Sequence, residues 1–297
     1  GVRYPDVKVP LCAGAYVKDA QATGKQGKSE AAQGENDAHS NAAHQPAEMT
    51  ELAKGIYWAR VGLPWSLDHI NVYLFDEGDS WTLVDTGAQT SSGRAAWQAL
   101  KEGPLGGKPI KRVIGTHLHP DHIGLAGDLV RASGAEFCMT QGEYLLAKTL
   151  WYSGGDTVPD FEVAYVLRAG AAPETEPVIR AQGYGHYKRG VAELPEVYTR
   201  LEDGMLITLA GYRFMVVIGR GHSPEHACLY GLDIPLFIGG DQILPAITSN
   251  VSVHAREPLS NPLAHWLSSL KRLKGLMGDP LVLPSHGKPF RGLHWRV

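Results

Sequence analysis

The sequence predicts an α/β sandwich, a fold class indicated by its composition, by the order of its elements and by one dense polar motif. Of the 297 residues, 43% are hydrophobic and 20% are charged, which is typical of a globular domain with a large buried core. From residue 56 onward, strand-like runs alternate with helix-like runs, as in α/β sandwiches. Three histidines and one aspartate lie within residues 117–122, directly after an apolar strand.

The N-terminal segment differs in composition from the rest of the chain. Residues 17–48 are rich in Ala, Gln, Gly, Ser, Asn and Lys and contain almost no large apolar side chain. Such a segment cannot bury enough surface to offset the entropy of ordering it. Residues 1–50 are therefore predicted to be an arm or linker, and residues 51–297 one catalytic domain.

Short β-branched and aromatic runs predict the first strands, at residues 56–61, 70–75 and 81–84. Ser91 and Ser92 then precede a helix that runs through Leu100, because hydroxyl side chains favour helix N-caps. A strand at 110–114, a helix through Leu129 and a strand at 136–139 follow.

A helical insert is predicted for residues 140–195, where strand patterns are interrupted. Breaks in it are expected at Gly154-Gly155, Pro159, Pro173 and Pro177. Strands resume at 197–201, 205–209, 212–218, 227–232 and 235–238, and an amphipathic helix at 261–276 precedes a last strand at 281–283.

Charge and cysteine content exclude several classes of protein. Lys and Arg number 28 against 31 Asp and Glu, so no basic field would attract nucleic acid, which is not expected as a partner. Three widely spaced cysteines do not form a disulfide framework. Because the sequence lacks the long apolar run of a membrane span, we expect a soluble protein, with the cytoplasm slightly favoured over the periplasm. The expected partner is a small-molecule substrate, and a homodimer is a candidate assembly.

The motif at 116–122 has the composition and spacing of a metal site. His117 and His119 point the same way in an extended segment, so both can reach one ion. Asp121 and His122 follow as the chain turns into a helix and can serve a second ion. A divalent metal such as zinc accepts this mixture of nitrogen and oxygen ligands. The alternative, polar residues on a surface loop, is disfavoured by the density of the cluster.

The motif His117-Leu118-His119-Pro120-Asp121-His122 resembles the HxHxDH signature of the metallo-β-lactamase superfamily. Four other stretches resemble the remaining family motifs in the expected order: LVDTG at 83–87, GHSPEH at 221–226, GGD at 239–241 and PSHG at 284–287. The resemblance extends from about Gly55 to about Phe290 and implies a four-layer αββα sandwich. A narrower resemblance is to a group of mostly uncharacterised bacterial hydrolases. Their chains usually continue past the last motif, whereas the printed sequence stops at Val297.

The resemblance also implies roles for individual residues. His117, His119 and His222 would bind a first metal, Asp121, His122 and His286 a second, and Asp241 would bridge both. The predicted cofactors are two divalent metal ions bound by these residues, with zinc preferred and iron or manganese as alternatives. Asp85 and His226 would support the ligands, although Asp85 before Thr-Gly also suits a simple turn. Water shared by two cations loses a proton near neutral pH and becomes a nucleophile, and Asp121 is the predicted catalytic residue that would hold this hydroxide.

Asp241 limits the substrate, because true β-lactamases of the superfamily typically have Cys or Ser there. Asp is the pattern of glyoxalase II-like thioesterases and lactonases, and also of nucleases and other phosphodiesterases. We therefore predict a metal-dependent hydrolase of lactones or thioesters. The alternatives are a phosphodiesterase or nuclease, a true or promiscuous β-lactamase, and an iron-dependent oxygenase or redox protein.

Four residues are candidates for substrate binding. Trp65 lies on a loop between two early strands and would form a flap, or else pack against the sheet. His69 belongs to one of the stretches that carry the narrower resemblance. Tyr184 and Tyr187 belong to the aromatic-rich insert, which could build an apolar pocket wall.

Overall fold

The computed structural model describes residues 48–276 and 278–297. The predicted arm, residues 1–50, lies outside these ranges except for its last three residues. The structure contains two sheets with helices on their outer faces. The first sheet has seven strands in chain order: β1 (Met49–Ala53), β2 (Ile56–Gly62), β3 (His69–Asp76), β4 (Trp81–Val84), β5 (Ile110–Ile114), β6 (Glu136–Thr140) and β7 (Thr199–Leu201).

The second sheet has five strands. In spatial order they are β12 (Leu281–Pro284), β11 (Leu236–Gly240), β10 (His226–Gly231), β9 (Tyr212–Gly219) and β8 (Leu206–Leu209). The helices are α1 (Ser91–Glu102), α2 (Pro120–Ile123), α3 (Ala126–Ser133), α4 (Gln141–Tyr152), α5 (Asp160–Arg168), α6 (Glu176–Ala181), α7 (Tyr187–Gly190), α8 (Pro262–Lys274) and α9 (Leu293–Arg296). No helix in the described ranges is long and apolar enough to cross a membrane.

Three apolar clusters fill the spaces between the four layers of the fold, which are a layer of helices, the two sheets and a second layer of helices. The middle cluster joins the two sheets, and Phe75 of β3 meets Phe214 of β9 edge to face with ring centroids 5.7 Å apart. An outer cluster packs Trp97 and Leu129 of α1 and α3 against the first sheet. The other outer cluster packs Leu273 of α8 against the second sheet. The implied αββα sandwich is therefore confirmed.

Strand direction brings several strand ends to one edge of the sandwich. In the first sheet β4, β5 and β6 are parallel, and Val84 is paired with Ile114 at their carboxyl ends. In the second sheet β11 and β12 are parallel, and Gly240 is paired with Pro284. Because the carboxyl ends of parallel strands share an edge, the loops that follow them lie together, which is the usual place for a ligand site in α/β sheets.

Three details differ from the sequence predictions. β1 (Met49–Ala53) is a strand that the sequence did not predict. The N-cap of α1 is Thr90, whose hydroxyl accepts a hydrogen bond from the Gly93 amide, and not Ser91 or Ser92. Pro177 does not break a helix but occupies the first turn of α6, where the missing N–H has no cost.

Candidate metal centre

The segment after β5 presents the predicted motif. After β5 the chain bends at residues 116–118, and His119 (φ −64°, ψ 147°) is extended and forms the N-cap of α2. His117 and His119 lie side by side, with His117 Nε2 2.9 Å from His119 Nδ1. The turn into α2, which starts at Pro120, directs Asp121 and His122 toward a second group of side chains.

The second sheet supplies the other three predicted ligands. His222 lies in the loop between β9 and β10, Asp241 directly follows β11, and His286 follows β12. Gly240 makes the turn before Asp241 possible: its φ is +54°, and an added Cβ would lie 2.4 Å from the His226 imidazole. A residue with a side chain at this position would have a strained backbone and would clash with the ring of His226.

The seven residues form two adjoining groups. One contains His117, His119, His222 and Asp241, the other contains Asp121, His122 and His286, and within each group the ligand atoms lie within 4.8 Å of one another. Asp241 faces both groups. Its Oδ2 is 3.3 Å from His222 Nε2, and its Oδ1 is 3.5 Å from His286 Nε2.

The residues present fit a pair of divalent cations. Within the described residues, His122 Nε2, His286 Nε2 and Asp241 Oδ1 are buried and have no hydrogen-bond partner. A buried polar atom without a partner costs about 1–3 kcal/mol, and three such atoms meet at the centre of one cluster. Five imidazoles and two carboxylates are also a donor set that zinc accepts. Cations at the two groups would satisfy the unpaired atoms.

Burial and charge set the protonation of the imidazoles. Burial, together with neighbouring histidines, lowers the pKa of His117 well below its usual range and that of His119 to about 3. Both rings are therefore neutral, as metal ligation requires. Burial also disfavours the charged form of His122, but Asp121, Asp85 and Asp241 outweigh it and raise its pKa well above the usual range. The three carboxylates around this imidazole are thus arranged to favour positive charge at this position.

Asp85 holds one predicted ligand, His122, by a hydrogen bond from outside the two groups. Its carboxylate accepts hydrogen bonds from the Thr116 amide and hydroxyl, both at 2.8 Å, and from His122 Nδ1 at 2.7 Å. Protonation of Nδ1 leaves Nε2 of His122 as the atom that faces the cluster. Asp85 has a left-handed φ of +62°, a conformation that costs a non-glycine residue about 1–3 kcal/mol and is often found at functional sites. It both forms the turn and supports His122.

His226 supports the centre without joining either ligand group. Its Nε2 accepts a hydrogen bond from the Asp241 amide at 3.1 Å, and its ring stacks on that of His117 with centroids 4.7 Å apart. Two other ligands are also oriented through Nδ1: His222 donates to the Asn250 carbonyl and His286 to the His69 carbonyl, both at 2.8 Å.

The four substrate-binding candidates occupy different places. His69 has partners for both ring nitrogens, because Nδ1 donates to Asp68 and Nε2 accepts from the Gly287 amide. Trp65 is 48% exposed on the loop between β2 and β3. The Tyr184 hydroxyl donates to Glu162 and accepts from Arg256. Tyr187 donates to the carbonyl of Leu118, within the motif. Their contact with a substrate stays a prediction.

A cavity of 540 Å³ opens beside the first ligand group. His119 and His222 belong to its wall, together with the apolar side chains of Leu146 and Leu150 from α4 and the ring of Tyr187. The lining also includes residues of the segment 252–262, among them Arg256. Trp65 and Tyr184 are not among the lining residues. A second cavity, of 390 Å³, contains none of the seven predicted ligands.

One buried residue of the site was not predicted. Glu143 of α4 is fully buried, and its carboxylate accepts hydrogen bonds from the Leu118 amide, the Ser223 hydroxyl and the Glu225 amide. Burial raises its pKa, and these three hydrogen bonds oppose that effect. In the sequence, the spacing of Thr140 and Glu143 is that of a helix capping box. This spacing does not indicate that Glu143 contacts the two loops that carry predicted ligands.

Known structures share this architecture. A beta-lactamase domain protein from Burkholderia ambifaria is 35% identical, with a TM-score of 0.75, over 87% of this chain and 77% of that one.

Curated relatives carry hydrolase names. A probable metallo-hydrolase of Bacillus subtilis, YqjP, is 28% identical over 77% of this chain and 70% of its own length. A linear primary-alkylsulfatase of a Pseudomonas species and an atrochrysone carboxyl ACP thioesterase of Aspergillus fumigatus are each 24% identical, over 71% and 78% of this chain. The chain spans only 40% and 41% of those two relatives.

The sequence profile of the metallo-beta-lactamase superfamily matches residues 65–286, a range that contains all seven predicted ligands and both of their predicted supporting residues. The profile covers most of the chain, and the fold and the ordered motifs agree with it. The chain therefore belongs to the metallo-β-lactamase superfamily.

Proposed function

We propose that this chain is a two-metal hydrolase, with zinc as the preferred metal, and that it acts on small ester-like carbonyl substrates such as lactones or thioesters. The observation that carries the proposal is the position of Asp241. Its Oδ2 lies 3.3 Å from His222 Nε2 of the first group and 3.5 Å from His122 Nε2 of the second, and its Oδ1 lies 3.5 Å from His286 Nε2 of the second group. Oδ1 has no hydrogen-bond partner within the described residues. This is the arrangement expected of a bridging ligand.

Two divalent ions, when bound, polarise a carbonyl oxygen and lower the pKa of a water molecule enough to make it a nucleophile near neutral pH. The side chains of this site are suited to hold and orient these reactants. Asp121 is partly exposed at 15% and lies 3.3 Å from His286 Nε2, so its carboxylate can accept a proton from a water at the cluster. His119 and His222 open onto the cavity, where the reacting carbonyl would lie.

The cavity favours an apolar acyl group. Leu146, Leu150 and Tyr187 form one of its walls, and burial of their apolar surface against a substrate would favour binding by about 25 cal/mol per Å². The similarity to a carboxyl ACP thioesterase supports the same class of carbonyl substrate. A phosphodiester would need several Arg or Lys donors, whereas Arg256 is the one Arg or Lys that lines this cavity in the described part of the chain.

Arg256 favours a second candidate, the hydrolysis of alkyl sulfate esters. Its guanidinium donates hydrogen bonds to the Ser153 and Tyr184 hydroxyls and lies over the ring of Phe161, 5.4 Å from its centroid. Such a group can bind a sulfate oxygen. The alkylsulfatase among the relatives supports this alternative.

A comparison of kcat/KM on one metal-replete preparation tests the proposal. The substrate set is a lactone, a thioester, an alkyl sulfate, a phosphodiester and a β-lactam, each with an apolar group of similar size. We expect the better of the lactone and thioester to lead. If another class leads by more than about tenfold, equal to roughly 1.4 kcal/mol of transition-state preference, the carbonyl-ester proposal is wrong.

A further inference from the structure

Glu143 is a buried carboxylate whose contacts lie at the two loops of the first ligand group. Its Oε2 accepts from the Leu118 amide at 3.0 Å, and Leu118 stands between His117 and His119. Its Oε1 accepts from the Ser223 hydroxyl at 2.6 Å and from the Glu225 amide at 2.7 Å, directly after His222. One carboxyl group thus touches the peptide segments on both sides of the group His117, His119 and His222.

Reciprocal contacts fix the helix that carries Glu143. The Gly142 amide donates to Glu225 Oε2 at 2.8 Å, and the Thr140 hydroxyl donates to the Glu225 carbonyl at 2.7 Å. A Cβ on Gly142 would lie 3.0 Å from the Glu225 carboxylate, so glycine allows this close approach. The first turn of α4 and the loop after His222 therefore form one rigid junction.

We propose that Glu143 is a positioning residue that holds His117, His119 and His222 in the geometry required by the first metal. The inference rests on the proposed two-metal site. It follows from the chemistry of the carboxylate, because all three partners donate to it and the two backbone amides, of Leu118 and Glu225, can only donate. Glutamine has only one oxygen, so in Glu143→Gln either the Leu118 amide or the Ser223–Glu225 side would face an N–H group. That loop would shift, and its histidine with it.

A simple structural role makes a different prediction. If Glu143 only stabilised the fold, its loss would lower the melting temperature of the metal-free protein and leave the metal dissociation constants of the folded protein unchanged. If it positions ligands, one of the two constants must rise. Changes to groups that orient metal ligands typically cost about 10- to 100-fold in affinity, because ligand distances must match within a few tenths of an ångström.

The test is a competitive zinc titration against a chromophoric chelator, which gives two stepwise dissociation constants, combined with melting of the metal-free protein. The variants are Glu143→Gln and the milder Ser223→Ala, which removes one donor and keeps the carboxylate. The control is Glu196→Gln, which breaks the ion pair between Lys148 of the same helix and the exposed Glu196, a residue of the segment before β7. For Glu143→Gln we expect one constant to rise about 10- to 100-fold while the other changes less than about threefold. For Ser223→Ala we expect a rise of about 3- to 10-fold, the size of one lost hydrogen bond.

Unchanged constants in both folded variants would overturn the inference, as would an equal rise in both constants. If Glu143→Gln does not fold, Ser223→Ala alone decides, and a constant equal to that of the unsubstituted protein overturns the inference. Failure of the proposed function has a different signature. In that case the unsubstituted protein itself binds at most one zinc or fails to hydrolyse any lactone or thioester, whatever the variants do.

Discussion

Replacement of Asp85 by asparagine should weaken the second metal site without disturbing the turn that carries it. Asn tolerates a left-handed φ about as well as Asp, so the backbone at +62° can stay as it is. One oxygen remains for the Thr116 amide. The new NH₂ group would face His122 Nδ1, which now donates to Asp85 Oδ2 at 2.7 Å. Two donors cannot pair, so the imidazole would move its proton to Nε2, the atom that faces the metal.

The expected loss of affinity at the group Asp121, His122 and His286 is about 10- to 100-fold, or roughly 1.4–2.7 kcal/mol. A competitive zinc titration near neutral pH measures it as a rise in one stepwise constant. Asp76→Asn is the matched control, since Asp76 ends β3 and forms an ion pair with Lys108 outside both ligand groups. If Asp85→Asn leaves both constants within about threefold of the unsubstituted protein, the view that Asp85 sets the tautomer of His122 is wrong.

Three further outcomes are expected. Metal analysis of the fully reconstituted protein should give close to two ions per chain, because seven ligands exceed the four of one tetrahedral zinc; one ion at most would contradict the two-group assignment. Asp121→Asn should lower kcat by about 10²–10⁴-fold and leave the melting temperature of the metal-free protein nearly unchanged. Near-normal turnover in this variant would show that Asp121 is not the catalytic residue. Gly240→Ala should lower the free energy of unfolding by about 2–4 kcal/mol, since the new Cβ would lie 2.4 Å from His226; denaturant unfolding of the metal-free protein measures this, and a loss below about 0.5 kcal/mol would show that the turn relaxes freely.

The motif at residues 116–122 could be identified as a candidate metal site from its residue types and spacing, because its parts are local. The other three predicted ligands, His222, Asp241 and His286, were implied by the resemblance to the family. The seven predicted ligands come together in two groups. Whether they bind metal in the roles implied by the resemblance is a prediction that the titrations above test.

The residues that sequence reasoning missed or placed differently depend on distant contacts. Glu143 acquires its role from Leu118, Ser223 and Glu225, which are 25, 80 and 82 positions away. The ring of His69 accepts a hydrogen bond from the Gly287 amide, 218 positions away, a contact that the sequence does not indicate; its role in substrate binding stays a prediction. β1 was missed because it is an edge strand without a buried residue, so it lacks the apolar alternation that identifies a strand.

Helix α4 belongs at once to the cavity and to the metal centre. Leu146 and Leu150 line the space where a substrate would bind. Glu143 lies one helical turn before Leu146 and two turns before Leu150, and its carboxylate accepts hydrogen bonds from both loops of the first ligand group. Under the proposed assignment, a ligand that displaces this helix also displaces the metal-binding loops. Thermodynamic linkage then makes the effect reciprocal: an acyl group that tightens zinc binding must itself bind more tightly when zinc is present, by the same factor. Under the same assignment, exchange of a leucine in the cavity wall that shifts this helix would alter the affinity for metal as well as the substrate preference.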